Sequence, residues 1–189
     1  MIDLNVRALT DLSLAFVESL ARHRGGLLNV ASVAGFFPGP GSAVYYAGKA
    51  YVLSLTEALH AELAPLGIRV TCLCPGPVAT EFQARAGVAD APAWPLAVSA
   101  EQVAVEGYRG LMRGKRIVVP GWANRLVASL VPRFVPRPIL LAMLERANDH
   151  VNQGGLIAQA SRRQVLQVAH IERAVRRLRR LLGQSRRHA

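Results

Sequence analysis

The stretch from residue 27 to residue 49 constrains this chain more than any other. Residues 27–31 (Leu-Leu-Asn-Val-Ala) form an almost uninterrupted apolar run that stops at Ser32. Such a run marks a parallel strand covered on both faces. A loop rich in glycine and proline follows, with Gly35, Pro38, Gly39, Pro40 and Gly41. Ser42 then stands where it can cap an amphipathic helix that opens with Tyr45 and Lys49. Side chains four apart on a helix share a face, with Cβ atoms roughly 5–6 Å apart. A loop of this length can bring Ser32 over that face, so Ser32, Tyr45 and Lys49 are a candidate proton-handling trio. Spacing alone favours a core serine, a core tyrosine and a surface lysine, because Tyr-x-x-x-Lys is common by chance.

The rest of the chain extends the same alternation. Residues 1–24 read as a helix whose stripe is Leu9, Leu12, Phe16 and Leu20, with Val17 beside it, and Gly25-Gly26 ends it. The helix after Ser42 has the stripe Val44, Gly48, Tyr51, Leu55, Leu59 and Leu63, closed by Pro65 and Gly67. Residues 68–74 are a second buried strand, ending in Pro75-Gly76-Pro77. Helix, strand, helix, strand with short links predicts an α/β layered fold with a parallel sheet.

Residues 81–98 carry no clear period and contain Gly87, Pro92, Trp94 and Pro95, the composition of a lid or binding segment. Ser99 and Gln102 make a capping box for a helix reaching to about Met112. Residues 116–119 are a third strand, stopped by Pro120-Gly121. Two short apolar segments, 123–130 and 139–147, are separated by Pro132, Pro136 and Pro138. Residues 152–155 read as a linker before a last helix over 161–182, with a seam of Val168, Ile171, Val175, Leu178 and Leu182. The domain boundaries expected are 1–150 for the α/β unit and 151–189 for a basic amphipathic helical tail.

Charge separates those two parts. The net charge of +11 comes mostly from residues 150–189, which hold nine arginines and one acid, Glu172. Residues 1–149 hold 14 basic residues against 11 acidic ones. Basicity of the whole chain would suggest nucleic acid, but the tail lacks aromatics for base stacking. A solvated or oligomerising extension is the plain expectation, and binding to an anionic membrane surface the alternative. Cys72 and Cys74 lie two apart in an apolar run with no adjoining Cys or His pair, so small core residues are expected and no metal site. No disulfide framework, signal peptide or apolar run of about 18 residues is visible, which makes a cytoplasmic protein the default, with peripheral membrane association as the variant.

Four motifs in order give the chain a resemblance to the short-chain dehydrogenase/reductase family, over its C-terminal two-thirds. Asn5 lies in Leu-Asn-Val, Ser32 ends Asn-Val-Ala-Ser-Val-Ala-Gly, Tyr45 and Lys49 form Tyr-x-x-x-Lys, and Pro75-Gly76-Pro77-Val78-Ala79-Thr80 is similar to the family's Pro-Gly-x-x-x-Thr loop. The spacings, 27 from Asn5 to Ser32 and 13 to Tyr45, fit as well. The match covers about residues 1–120 and implies a doubly wound, Rossmann-like parallel sheet lacking its N-terminal strands. It also implies hydride transfer between NAD or NADP and a carbonyl or alcohol. A phenol titrates near 10, so proton transfer near neutrality needs roughly three units, about 4 kcal/mol, of preferential phenolate stabilisation.

By resemblance, Tyr45 is the general acid, with Lys49 and the oxidised nicotinamide ring supplying that stabilisation. Ser32 holds the substrate oxygen. Asn5 fixes a water linking Lys49 to solvent. Tyr45, Lys49, Pro75, Gly76, Val78 and Thr80 contact the cofactor. Phe82 and Trp94, with Leu96, line an apolar substrate pocket or fill a hinge. Tyr46 lies elsewhere round the helix and is expected to pack.

The departure from the family is large. No Gly-x-x-x-Gly-x-Gly turn stands ahead of Asn5 to hold the adenosine half of a dinucleotide. Nearly three βαβ units, roughly 80–90 residues at about 30 each, have no counterpart. Expectations from this are a truncated chain, an incomplete cofactor site and a bare sheet edge. In the family, helices at residues 3–23 and 43–64 meet a partner subunit, so a homo-oligomer is expected. The competing expectation is a non-catalytic remnant acting as a dimerising or membrane-surface interaction protein.

Overall fold

The computed structural model describes residues 1–79 and 97–152. The chain enters through a wide helical turn at Asp3–Ala8 and continues as α1 (Leu9–Ala15) and α2 (Val17–Arg22). Strand β1 (Gly26–Val30) leads through a short turn at Val33–Phe36 into α3 (Ala43–Leu63) and β2 (Arg69–Leu73). Then come β3 (Val78–Ala79), β4 (Val98–Ser99), α4 (Ala100–Met112), β5 (Ile117–Val118), α5 (Trp122–Phe134) and α6 (Arg137–Asn152).

Strands β1, β2 and β5 form one parallel sheet in that order, with Val30 opposite Leu73 and Cys72 opposite Ile117. A second, two-stranded sheet pairs β3 with β4, also in parallel. Parallel neighbours need crossovers, and α3 and α4 supply them, packed on opposite faces of the sheet. The α/β parallel architecture expected from the sequence is therefore present as a partial sheet, and among the described residues β1 has a neighbour on one edge alone. Val30 there is 49% exposed.

Alternation along β2 sets the two faces. Val70 and Cys72 point to the α2–α3 side, where Leu59, Leu63 and Ile68 pack with Val17, Leu20 and Leu27, and Val52 and Leu53 pack nearer the carboxyl end. Leu73 points to α4. That helix lies close to the sheet because Gly107 and Gly110 face it. A Cβ at Gly110 would stand 2.2 Å from Val118 Cγ2, and one at Gly107 2.8 Å from Leu73 Cδ2.

Several local expectations need correction. The N-terminal helix is not continuous: it breaks at Phe16, whose ψ is −4°. Leu12 (58%) and Phe16 (54%) are exposed, and Ser13 takes the inward place between Leu9 and Val17. A polar knot explains this. Asn29 on β1 donates to Thr56 Oγ1 (3.1 Å) and to Ser13 Oγ (3.4 Å), and Thr56 donates to the Val52 carbonyl (2.6 Å). Buried amides need partners, so a serine beats a leucine at that position.

On α3 the buried stripe is Val52, Leu53, Thr56, Leu59 and Leu63. Val44 is exposed, and the Tyr51 hydroxyl meets Thr10 Oγ1 at 2.7 Å instead. Helical spacing fits either stripe, and the sheet's position chose between them. Ser42 precedes α3 without a side-chain cap bond, and its carbonyl accepts from Tyr45 and Tyr46 instead. Ser99 does cap α4 by accepting from the Gln102 amide, while the Gln102 side chain turns to Glu106. The two apolar segments are full helices: Pro132 lies within the last turn of α5, and Pro138 sits in the first turn of α6, where a missing N–H is tolerated. Of the expected linker and tail, Asn152 ends α6, and residues 153–189 lie outside the described residues.

Gly110→Ala should lower stability by about 1–3 kcal/mol by forcing α4 off Val118, read as an earlier urea midpoint with unchanged slope.

Candidate active site

The site is assembled where β1 and β2 end side by side. The Ala31 amide still donates to the Leu73 carbonyl (2.8 Å), and the chain then turns at Ser32. Ser32 Oγ accepts from the Ala34 amide (3.1 Å) and donates to the Pro75 carbonyl (3.4 Å), which also accepts from the Val33 amide (2.9 Å). One hydroxyl thus caps the turn after β1 and ties it to the loop after β2. These are neighbouring carboxyl ends of parallel strands, where open α/β sheets bind ligands.

Lys49 comes to the same place from α3. Its Nζ donates to the Val30 carbonyl (3.1 Å), two residues before Ser32, and stands 5.9 Å from the centre of the Tyr45 ring. That is the one-turn pairing the spacing implied. Burial lowers the Lys49 pKa from its ordinary value, with the nearby Cys72 and Cys74 thiols acting in the opposite sense. Tyr46 turns away from Lys49 and packs as expected. Its ring meets Tyr45 edge to face at 5.9 Å, and burial raises its pKa, with Tyr45 adding to the shift.

Glycines make the loop between Ser32 and Tyr45 possible. A Cβ on Gly35 would lie 2.8 Å from the Lys49 carbonyl oxygen, so the turn after Ser32 rests directly on the α3 backbone. A Cβ on Gly39 would enter the Tyr46 ring. Gly35, Gly39 and Gly41 happen to match Gly-x-x-x-Gly-x-Gly between a strand and a helix, but these close approaches go to packing on α3. A groove of about 530 Å³ lies beyond them, lined by Phe36, Phe37, Tyr46, Pro132, Arg137 and Leu140.

The other expected site residues are placed as follows. Asn5 donates to the Met1 carbonyl (3.3 Å), and its Cβ lies 3.9 Å from where a Cβ on Gly48 would be, beside the residue preceding Lys49. Pro75 and Gly76 follow β2 after Cys74, and Val78 lies in β3. Gly76 is held against Asn124 of α5, whose Oδ1 would be 2.4 Å from an added Cβ. Asn124 is buried and donates to the Pro120 carbonyl (3.2 Å). Nothing local in the sequence announced this contact, because its partners are 48 positions apart. Thr80, Phe82 and Trp94 lie outside the described residues.

Cys72 and Cys74 are core residues. Both are buried, 3.6 Å apart, and the Cys74 pKa is pushed up by its hydrogen bond with Cys72 and by burial. Among the described residues no cluster of three His, Cys, Asp or Glu side chains could hold a metal ion.

Comparison with known proteins bears on the same segment. The family model described as short chain dehydrogenase matches residues 1–90. The human "Dehydrogenase/reductase SDR family member 4" is 42% identical over 82 residues, 43% of this chain and 30% of that protein. An "Uncharacterized oxidoreductase" of Myxococcus xanthus is 33% identical over 147 residues, 77% of this chain and 56% of the relative. The structure of a "Short-chain dehydrogenase from Sphingobium yanoikuyae in complex with NADPH" superposes with a TM-score of 0.57 at 29% identity, covering 82% of this chain and 54% of that one. The chain thus spans about half, or less, of the length of the relatives it matches.

Gly48, which precedes Lys49, and Gly35, which rests on its carbonyl, should respond oppositely to alanine. Gly48→Ala should stabilise by about 0.5–1 kcal/mol, since the added methyl makes only an ordinary contact with the Asn5 Cβ and sits inside a helix. Gly35→Ala should destabilise by about 1–3 kcal/mol by lifting the Ser32 turn from α3. Urea titration of both variants checks the sign of each.

Proposed function

Residues 1–90 belong to the short-chain dehydrogenase family, and on that footing we propose that this chain is the catalytic half of an NAD(P)-dependent oxidoreductase interconverting a carbonyl and an alcohol. The observation that carries the reading is the Lys49 ammonium, shared between the Val30 carbonyl at the end of β1 and the face of Tyr45. The NADPH in the Sphingobium yanoikuyae relative supports the cofactor class.

The residues present fit the nicotinamide half of such a cofactor. Lys49 Nζ lies against the end of β1 and 5.9 Å from the centre of the Tyr45 ring, and Ser32, two residues past Val30, ties that end to the Pro75 carbonyl. Tyr45, Lys49, Pro75, Gly76, Val78 and Thr80 would hold that half, and the bound nicotinamide would supply the hydride. Ser32 holds the substrate oxygen and steadies charge on it. Tyr45 gives its phenolic proton to that oxygen during reduction and takes it back during oxidation. Lys49 favours the phenolate by its charge and donates to the ribose. Asn5 orders a water that resupplies protons to Lys49. Phe82 and Trp94 contribute apolar surface to the substrate side, which suits bulky ketones and alcohols.

The Gly-x-x-x-Gly-x-Gly that residues 1–189 hold, Gly35, Gly39 and Gly41, is used in packing on α3. Residues 1–189 alone should therefore bind reduced cofactor more weakly than micromolar, measured by fluorescence titration. The deciding assay is cofactor-dependent reduction of a ketone panel at saturating cofactor. Tyr45→Phe should lower turnover at least about a hundredfold, within the range that general acid–base catalysis contributes. Equal turnover in the variant rejects the reading.

The lowered Lys49 pKa also sets a sign. The folded state binds this proton less tightly than the unfolded chain does, so the penalty of charged Lys49 is present at neutral pH. It is relieved as the pH rises through the folded pKa toward the ordinary 10.5. Lys49→Met should remove that rise in stability and leave the neutral-pH value within about 1 kcal/mol, while turnover is lost.

A second reading, a dimerising protein, is favoured by one observation. Ile2, Leu4, Leu12, Phe16 and Val44 are all more than half exposed along residues 3–23 and 43–64 or next to them. Large exposed apolar patches mark association surfaces. Light scattering should give a dimer that Leu12→Ser with Phe16→Ser converts to monomer, and a monomeric parent chain rejects this interface.

A further inference from the structure

We propose that helices α5 and α6 dock the protein on an anionic lipid surface, independently of the catalytic reading. Trp122, Leu126, Leu130 and Phe134 recur every four residues along α5 and form one ridge. They are 76%, 48%, 47% and 73% exposed, while Asn124 and Ala128 face the core. On α6, Ile139 (54%) and Met143 (58%) continue the pattern, with Leu140 turned inward. A soluble helix rarely leaves its large apolar residues in water along a whole ridge.

The charges say what covers it. Over residues 122–146 the charged side chains are Arg125, Arg133, Arg137 and Arg146 against Glu145 alone, all exposed. Arg125 reaches Glu106 of α4 at 3.7 Å and remains 60% exposed. A second copy of this face would bring four more arginines against these. Residues 150–189, with a net charge of +8, would be repelled as well. An anionic bilayer meets both halves of the surface, with acyl chains for the ridge and headgroup phosphates for the arginines. Trp122 at one end of the ridge and Phe134 at the other are side chains suited to the headgroup boundary. Among the described residues no helix is long and apolar enough to cross a membrane, so the geometry is that of a helix pair lying in the interface plane. The groove lined by Pro132, Arg137 and Leu140 begins where α5 hands over to α6, so an apolar molecule could pass from the bilayer into it.

The test uses the full 189-residue chain with Trp94→Phe, which leaves Trp122 as its sole tryptophan. No cofactor or substrate is present, so failure of this idea is separate from failure of the oxidoreductase reading. Phosphatidylcholine vesicles are added with and without phosphatidylglycerol. The expected result is flotation with the anionic vesicles, a blue shift of Trp122 emission, quenching by brominated acyl chains and weakening in high salt. Leu126→Ser with Phe134→Ser should cut partitioning at least about tenfold at unchanged melting temperature, since both side chains are exposed. If that variant fails to fold, the quenching of Trp122 in the parent decides alone. Absence of quenching, equal partitioning of a folded variant, or a ridge-dependent dimer without vesicle binding would each overturn the proposal.

Discussion

Burial of β2 on both faces, with hydrogen bonds along both edges, is the constraint from which the remaining elements take their positions. Val70 and Cys72 are fully buried on one side, and Leu73 is covered by α4 on the other. A strand so placed has no freedom of register, because a shift by one residue would exchange its faces. Its neighbours β1 and β5 are therefore set in parallel beside it, and the crossovers α3 and α4 fall to opposite sides. The end of β2 then delivers Pro75 to the spot where β1 releases Ser32, and the hydroxyl-to-carbonyl bond between them follows from that register.

The site depends on a second constraint, the closeness of backbone to backbone at Gly35. Because no Cβ intrudes there, the turn after Ser32 lies on α3 at Lys49. Lys49 can then reach back to the Val30 carbonyl, and the lysine becomes a brace between helix and strand as well as a charge beside Tyr45. A half-buried amine in that position works against stability at neutral pH. The polar knot of Ser13, Asn29 and Thr56 is a structural counterpart on the same strand, fully partnered and away from the site.

The surfaces divide in the same way. One apolar region follows α1–α3 and another follows α5–α6, and their charges differ. The first carries Asp3 and Glu18 paired with Arg7 and Arg22, a balanced face suited to another protein surface. The second is almost purely basic and suits an anionic one.

Much of this was written locally in the chain. The apolar runs at 27–31 and 68–74 determined two parallel strands, of which β2 is buried while β1 is only partly so, with Val30 exposed. The four spaced motifs carried the likeness to short-chain dehydrogenases, whose family model matches residues 1–90, and Tyr45 with Lys49 determined one helical face, because the helix repeat is a property of the backbone. Tertiary structure decided what local periods leave open. It chose Val52, Leu53 and Thr56 over Val44 and Tyr51 as the buried side of α3, put Ser13 inside and Leu12 and Phe16 outside, and seated Gly76 on Asn124. Those choices depend on atoms tens of residues apart competing for one volume, and periodicity within a helix carries no information about what stands opposite it.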